Sequence, residues 1–289
     1  MIRAATARTA VAAAVVAVIA PAAPATAGAQ SWRTLDVSRQ LADSAPSSIE
    51  VVYGTGSLGV RAAPSGLLYH MQLRYDAERA KPRHTFDAAA RSLSLGVQRS
   101  DVRFTGRKGG ESGRLLLELS RVAPLDLALD LGAVEADVDL TGLRLRRLKV
   151  ESGASDANLR FDSLNATTME LFEISLGAAN FRGTRLANAN AAEIRVDAGI
   201  GNVELDMGGE WTSDIELEVE VSFGVVTIHV PPDVGIRASH RKVIGGFEGD
   251  GLVERDGAWV STNWDSAPRK LRITAQMVLG KLKIDRTGR

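Results

Sequence analysis

The chemistry-bearing residues that recur at a fixed spacing in this 289-residue chain are carboxylates. Asp137 and Asp139, and then Glu216, Glu218 and Glu220, fall at i, i+2. On an extended strand that spacing puts them on one face, about 7 Å apart. Adjacent strands could gather such rows for acid–base cleavage of a polysaccharide, or for calcium. The same rows carry Arg160, Arg182 and Arg195, which suit them to cross-strand ion pairs on a solvated face. Their surroundings also lack the G-G-x-G-x-D calcium pattern. Solvation is therefore the reading adopted, and no catalytic residue is assigned.

The other candidates are weaker. The four histidines, His70, His84, His229 and His240, show no H-x-H, H-x-x-x-H or H-E-x-x-H spacing, so no metal ligand is expected. Cysteine is absent, which excludes disulfides, thiol catalysis and zinc fingers. Ser57, Ser65 and Ser94 lack a nucleophile elbow. Gly54-Thr-Gly56-Ser-Leu-Gly59 has dinucleotide-loop spacing, but Val60-Arg-Ala-Ala-Pro64 stops at a proline with no helix following, so a β corner is expected and no cofactor. Asn165-Ala-Thr167 reads as a turn. Trp211, Phe247, Trp259 and Trp264 form the candidate interaction surface in a chain poor in aromatics; they would stack on sugars, anchor a partner, or cap the end of the core.

The elements that position these residues are strands. Hydrophobic alternation reaches a glycine and resumes at Leu125–Leu140, Val150–Phe161, Ile174–Phe181, Val196–Met207 and Val221–Val230. The corner glycines read as 132, 153, 177, 201 and 224, spaced by 21, 24, 24 and 23 residues. Ala136, Val138 and Leu140 face one way, with Glu135, Asp137 and Asp139 opposite; Ile215, Leu217, Val219, Val221 and Phe223 form a second such row. A glycine recurring at a corner lets backbone of the next coil pass close. No long stretch shows helical periodicity. The expected fold is all-β, a stacked-strand β-solenoid or prism, and Leu271–Ile284 is expected to be its solvated terminal rung.

Compartment and organisation follow. Arg3 and Arg8 precede an apolar run from Ala10 to Ala20, then Pro21, Pro24 and small residues, as in a signal peptide cleaved between Ala29 and Gln30, or two residues earlier. The run is short of the roughly 20 residues of a spanning helix, so no membrane span is expected in the mature chain. Lys plus Arg and Asp plus Glu both number 35, giving no basic surplus for nucleic acid. The organisation expected is a signal peptide over 1–29, an N-terminal β segment over 30–112 and glycine-cornered repeats over 113–289, with the polar, glycine-bearing Arg99–Ser112 as the boundary or a hairpin.

Three motifs together resemble the toast-rack family of bacterial exported and membrane-linked proteins, which takes in LiaF-like cell-wall-active antibiotic response proteins and adhesin-type β-solenoids. They are Gly54-Thr-Gly56-Ser-Leu-Gly59-Val with Leu67–Tyr75, the serial glycine corners, and the closing Val278-Leu-Gly280-Lys-Leu-Lys-Ile284. The resemblance implies envelope-stress sensing or adhesion; the repeat, the leader and the missing catalytic constellation point to a non-enzymatic binding, adhesive or scaffold module in the periplasm or at the cell surface, its partner an envelope protein or glycan. A regulator of envelope stress and a carbohydrate-active β-helix enzyme are the alternatives.

Overall fold

The computed structural model describes residues 31–99, 112–241 and 244–286. The leader with its Ala29–Gln30 junction and the polar stretch 100–111 lie outside the described residues. Sixteen strands follow in chain order among the described residues: β1 (Trp32–Gln40), β2 (Ser47–Ala62), β3 (Leu67–Asp76), β4 (Ala80–Asp87), β5 (Ser92–Arg99), β6 (Arg114–Leu119), β7 (Pro124–Asp139), β8 (Arg144–Arg160), β9 (Leu171–Thr184), β10 (Glu193–Asp206), β11 (Ile215–His229), β12 (Gly235–Arg241), β13 (Ile244–Gly249), β14 (Leu252–Arg255), β15 (Ala258–Ser261) and β16 (Lys270–Asp285). A short 3₁₀ turn, Leu186–Ala189, separates β9 from β10.

Seven long strands, β2, β7, β8, β9, β10, β11 and β16, lie side by side in parallel register. Each is one rung of the stack, bent once into two arms. The bend is visible as a slip in the alternation. Leu125, Leu127, Leu129 and Leu131 of β7 are buried, then Val134, Ala136 and Val138, so Gly132 and Ala133 both fall outside the core. A period-two strand that skips a beat keeps the inner face of both arms against the same core. Matching positions of successive rungs stack into columns, such as Leu127, Leu148, Phe172, Ile194, Leu217 and Ile273, all buried.

The glycines occupy two columns at the bend. Gly132, Gly153, Gly177 and Gly199 share the first; Gly201, Gly224, Gly280 and Gly245 share a second, two residues further on. Gly199, and not the expected corner Gly201, is the counterpart of Gly177. Rung β10 carries glycine at both positions, and β2 does likewise with Gly54 and Gly56. At Gly224 φ is +148°, and a Cβ there would run into the carbonyl oxygen of Gly201 on the preceding rung. Rung β10 thus stands where one glycine column ends and the other begins.

The same slip corrects the inward reading of Phe223. Val221 and Val226 are buried, Gly224 takes the inward place between them, and Phe223 is turned out, 46% exposed.

Split rungs and hairpins finish both ends. β5 and β6 lie along the two arms of β2; β4 pairs with β5, and β3 and β1 extend from β6, all three antiparallel. At the other end β12 and β13 lie along the two arms of β16, with β15 and β14 beyond β12. The closing strand β16 is therefore an interior rung between β11 and the β12–β13 pair, not the terminal one expected. Its outward lysines mark the solvated face that every rung has, and they do not report position in the stack.

The return segments between rungs hold an asparagine network. Asn165, 3% exposed, donates to the carbonyls of Leu145, Thr167 and Ala189 and accepts from the Leu145 amide. Asn188 donates to Phe161 O and accepts from Glu210 N one coil later. Buried loop backbone is thus satisfied by side chains where no strand ladder can do it. The Asn165 amide is consumed internally, so this Asn-x-Thr triplet is structural.

Candidate functional site: the outer line of the bend

The position after the first glycine column faces outward on every rung. In register it reads Thr55, Ala133, Ala154, Ala178, Ile200, Phe223 and Leu279. It changes character at β10. Over β7, β8 and β9 it is a flat strip of alanines beside glycines; over β10, β11 and β16 it is a ridge. Ile200, Phe223 and Leu279 are 58%, 46% and 50% exposed, with Val225 and Val278 alongside at 39% and 55%. Contiguous exposed apolar side chains of this size are uncommon on a monomer's surface away from a contact site. Sequence reasoning missed the ridge because it took the alternation straight through the bend. The signal was present as bulky apolar residues next to a corner glycine, in Ile200-Gly201, Phe223-Gly224 and Leu279-Gly280.

Two shallow grooves lie side by side at the bend. One, of about 540 Å³, is floored by Ala133, Ala154 and Ala178 and bounded by Glu135, Asp156 and Asn180. The other, of about 680 Å³, runs beside Gly132, Gly153, Gly177 and Gly199 and is walled by Asp130, Glu151, Asp197 and Glu220. Burial, with Glu220 and Glu173 nearby, raises the Asp197 carboxyl above its ordinary value. Both grooves are open and run across successive rungs, a shape that suits an extended or flat partner rather than an engulfed small molecule.

The carboxylate rows examined for catalysis are largely tied to arginines. Arg160 reaches Asp137 at 2.9 Å and Asp139 at 2.8 Å, Arg182 reaches Glu204 at 2.7 Å, and Arg195 spans Glu193, Glu173 and Glu218. Among the described residues, no group of three or more His, Asp or Glu side chains is arranged to hold a metal ion.

The four aromatic candidates are each partly buried. Phe247 and Trp259 stack, ring centroids 4.9 Å apart, partly buried against the core. Trp264 is half-buried beneath Lys270 and Arg272. Trp211 packs partly buried against the core and donates its indole N–H to Met207 O at 3.0 Å. None of the four adjoins the ridge in the strand register.

Histidines hold more than the sequence suggested. His70 on β3 sits between Glu118 of β6, 2.7 Å from Nδ1, and Asp36 of β1, 2.9 Å from Nε2. Arg61 of β2 completes the line at 2.7 Å from Glu118. Both ring nitrogens face carboxylates, which requires two N–H donors and so the imidazolium form.

Bent parallel rungs around one apolar core, with outward columns in register, define a β-solenoid-type stacked-strand protein. The chain belongs to the toast-rack family: the N-terminal domain of toast_rack, DUF2154, matches residues 28–182, more than half of it. Among solved structures it is similar to one from Clostridium sporogenes named as a candidate cell adhesion protein (14% identity, 88% of this chain and 100% of that chain, TM-score 0.44). A candidate adhesin from Bacteroides fragilis is similar at 10% identity over 89% of this chain and 98% of that chain, with a TM-score of 0.37. A candidate lipid binding protein from Parabacteroides distasonis is similar at 9% identity over 89% and 95%, with a TM-score of 0.29. No curated protein sequence matches the chain.

Proposed function

We propose that this protein is a non-enzymatic binding or scaffold module of the bacterial cell envelope, exported by its N-terminal segment, and that it engages its partner through the outer line of the bend. The observation that carries this reading is the in-register ridge of Ile200, Phe223 and Leu279 continuing the alanine strip that floors one of two adjacent open grooves. A rigid stack fixes such a line without further ordering, so little conformational entropy opposes binding. Export is supported by the Arg3, Arg8 and Ala10–Ala20 pattern. Among the described residues no helix is long and apolar enough to cross a membrane.

The test is retention on isolated envelope fractions, wild type against Phe223→Asp and Leu279→Asp. The substituted side chains are solvent-facing, so folding should persist while retention drops. Retention equal to wild type would move the binding face elsewhere. A glycan panel decides the enzymatic alternative: release of new reducing ends, abolished by Asp137→Asn or Glu218→Gln, would overturn the non-enzymatic reading.

A further inference from the structure

We propose that the outer line of the bend is a homotypic site, at which two copies of this chain pair antiparallel about a two-fold axis between β9 and β10. The proposal rests on the reading of that line as the binding face, and it names the occupant.

Three relationships point to a second copy. First, between Thr55 of β2 and Ile244 of β13 the line spans six rungs that divide equally: three of alanine (Ala133, Ala154, Ala178) and three of bulky apolar side chains (Ile200, Phe223, Leu279). Rungs repeat at about 4.8 Å throughout, so reversing the line about its midpoint lays each ridge residue over an alanine. Leu279 meets Ala133, Phe223 meets Ala154, and Ile200 meets Ala178. The contact is isologous and closes at two copies.

Second, the outward column two residues further on reads Glu135, Asp156, Asn180, Asn202, Val225 and Lys281. The same reversal places Glu135 of one copy opposite Lys281 of the other, twice per dimer, so that Glu135 would join the pair Lys281 already makes with Glu248 of its own chain at 2.6 Å. Rotating the copies about the line itself would instead set ridge on ridge and leave both alanine strips uncovered.

Third, the acidic row of Asp130, Glu151, Asp197 and Glu220 runs along the other flank, which disfavours burial of the ridge in an anionic lipid surface. In the antiparallel dimer Glu151 meets Glu220 across this flank, and the repulsion keeps the pairing weak. A narrow line about six rungs long also falls below the roughly 800 Å² per partner of a standard stable interface. The expected dimer is reversible and concentration-dependent.

The test is sedimentation velocity on the protein purified from cells expressing the whole chain, across about two decades of concentration in the micromolar range. Wild type should shift from monomer to dimer. Phe223→Asp should raise the dissociation constant on the order of tenfold or more, with an unchanged thermal midpoint. Glu135→Lys and Lys281→Glu should each weaken pairing, and the double reversal should restore it. Because the chain has no cysteine, A133C mixed with L279C should give a mixed disulfide dimer, while A133C alone should not self-link across about 24 Å. A protein monomeric throughout, dimers indifferent to Phe223→Asp, or self-linking of A133C would overturn the proposal. Monomers whose envelope retention still depends on Phe223 would overturn the homotypic partner alone and leave the binding face standing; loss of both would remove the two readings together.

Discussion

The Asn165 side chain and the Leu145 backbone form a reciprocal pair: the amide donates to Leu145 O at 2.8 Å and its oxygen accepts from Leu145 N at 3.0 Å. The pair acts as a strand-like bridge made by a side chain, in a return segment where two coils have no ladder between them. Two further carbonyls, Thr167 O and Ala189 O, depend on the same amide.

Asn165→Ala is therefore expected to cost about 2–3 kcal/mol, since it strands buried backbone groups. Urea denaturation monitored by circular dichroism measures it. Asn165→Asp should also destabilise, because a carboxylate has no N–H to offer these carbonyls; a wild-type midpoint in either variant would show that water or local rearrangement satisfies the segment.

At Gly224 the expected penalty has two sources, the φ of +148° and the Gly201 carbonyl that a Cβ would strike. Gly224→Ala should lose about 2 kcal/mol or more. By contrast, Gly257→Ala tests φ alone, because nothing lies within 4 Å of its Cβ position. Equal losses in the two variants would deny the close approach of rungs a separate role.

His70 sets the pH dependence at the β1 end of the sheet. Its bond to Glu118, and then that to Asp36, hold its pKa above the ordinary histidine value, burial opposing. Asp36 is lowered by His70 and then Gln72; at Glu118 burial pushes up, but His70 and Arg61 outweigh it and the net shift is down. A raised histidine stabilises fully below its unfolded value of about 6.5, and that contribution fades as pH rises through the folded value. The carboxylates contribute above about 4 and lose that as pH falls through their depressed values. Wild type should thus exceed His70→Gln in thermal midpoint most clearly near pH 5.5, and the gap should narrow towards pH 9. A gap constant over that range would mean that His70 contributes packing and not charge.

Tyr53 presents the opposite case. Its hydroxyl is buried with no hydrogen-bond partner among the described residues, and burial pushes its pKa up to about 12. Tyr53→Phe should be neutral or slightly stabilising at pH 7, within about 0.5 kcal/mol. Raised above its unfolded value near 10, the phenol adds stability that is lost as pH climbs towards 12, so the variant should resist that range better. A loss of more than about 1 kcal/mol at neutral pH would reveal a partner for the hydroxyl.

Alternation and glycine punctuation alone determined the all-β stacked architecture, because a period of two with a Cβ-free corner has few other solutions. Pairs such as Arg160 with Asp137 were also legible, since outward charges of opposite sign meet wherever rungs stack. Three features were decided only by the tertiary structure. Which glycines share a column depends on the register between rungs, and Gly199 and Gly201 sit two residues apart within one of them. Phe223 faces outward because the bend inserts a slip that a one-dimensional reading cannot place. His70, Glu118 and Asp36 meet because three antiparallel strands far apart in the chain are set side by side. Local pattern fixes which face a side chain occupies along a straight strand; bends and long-range register decide which neighbours it then finds there.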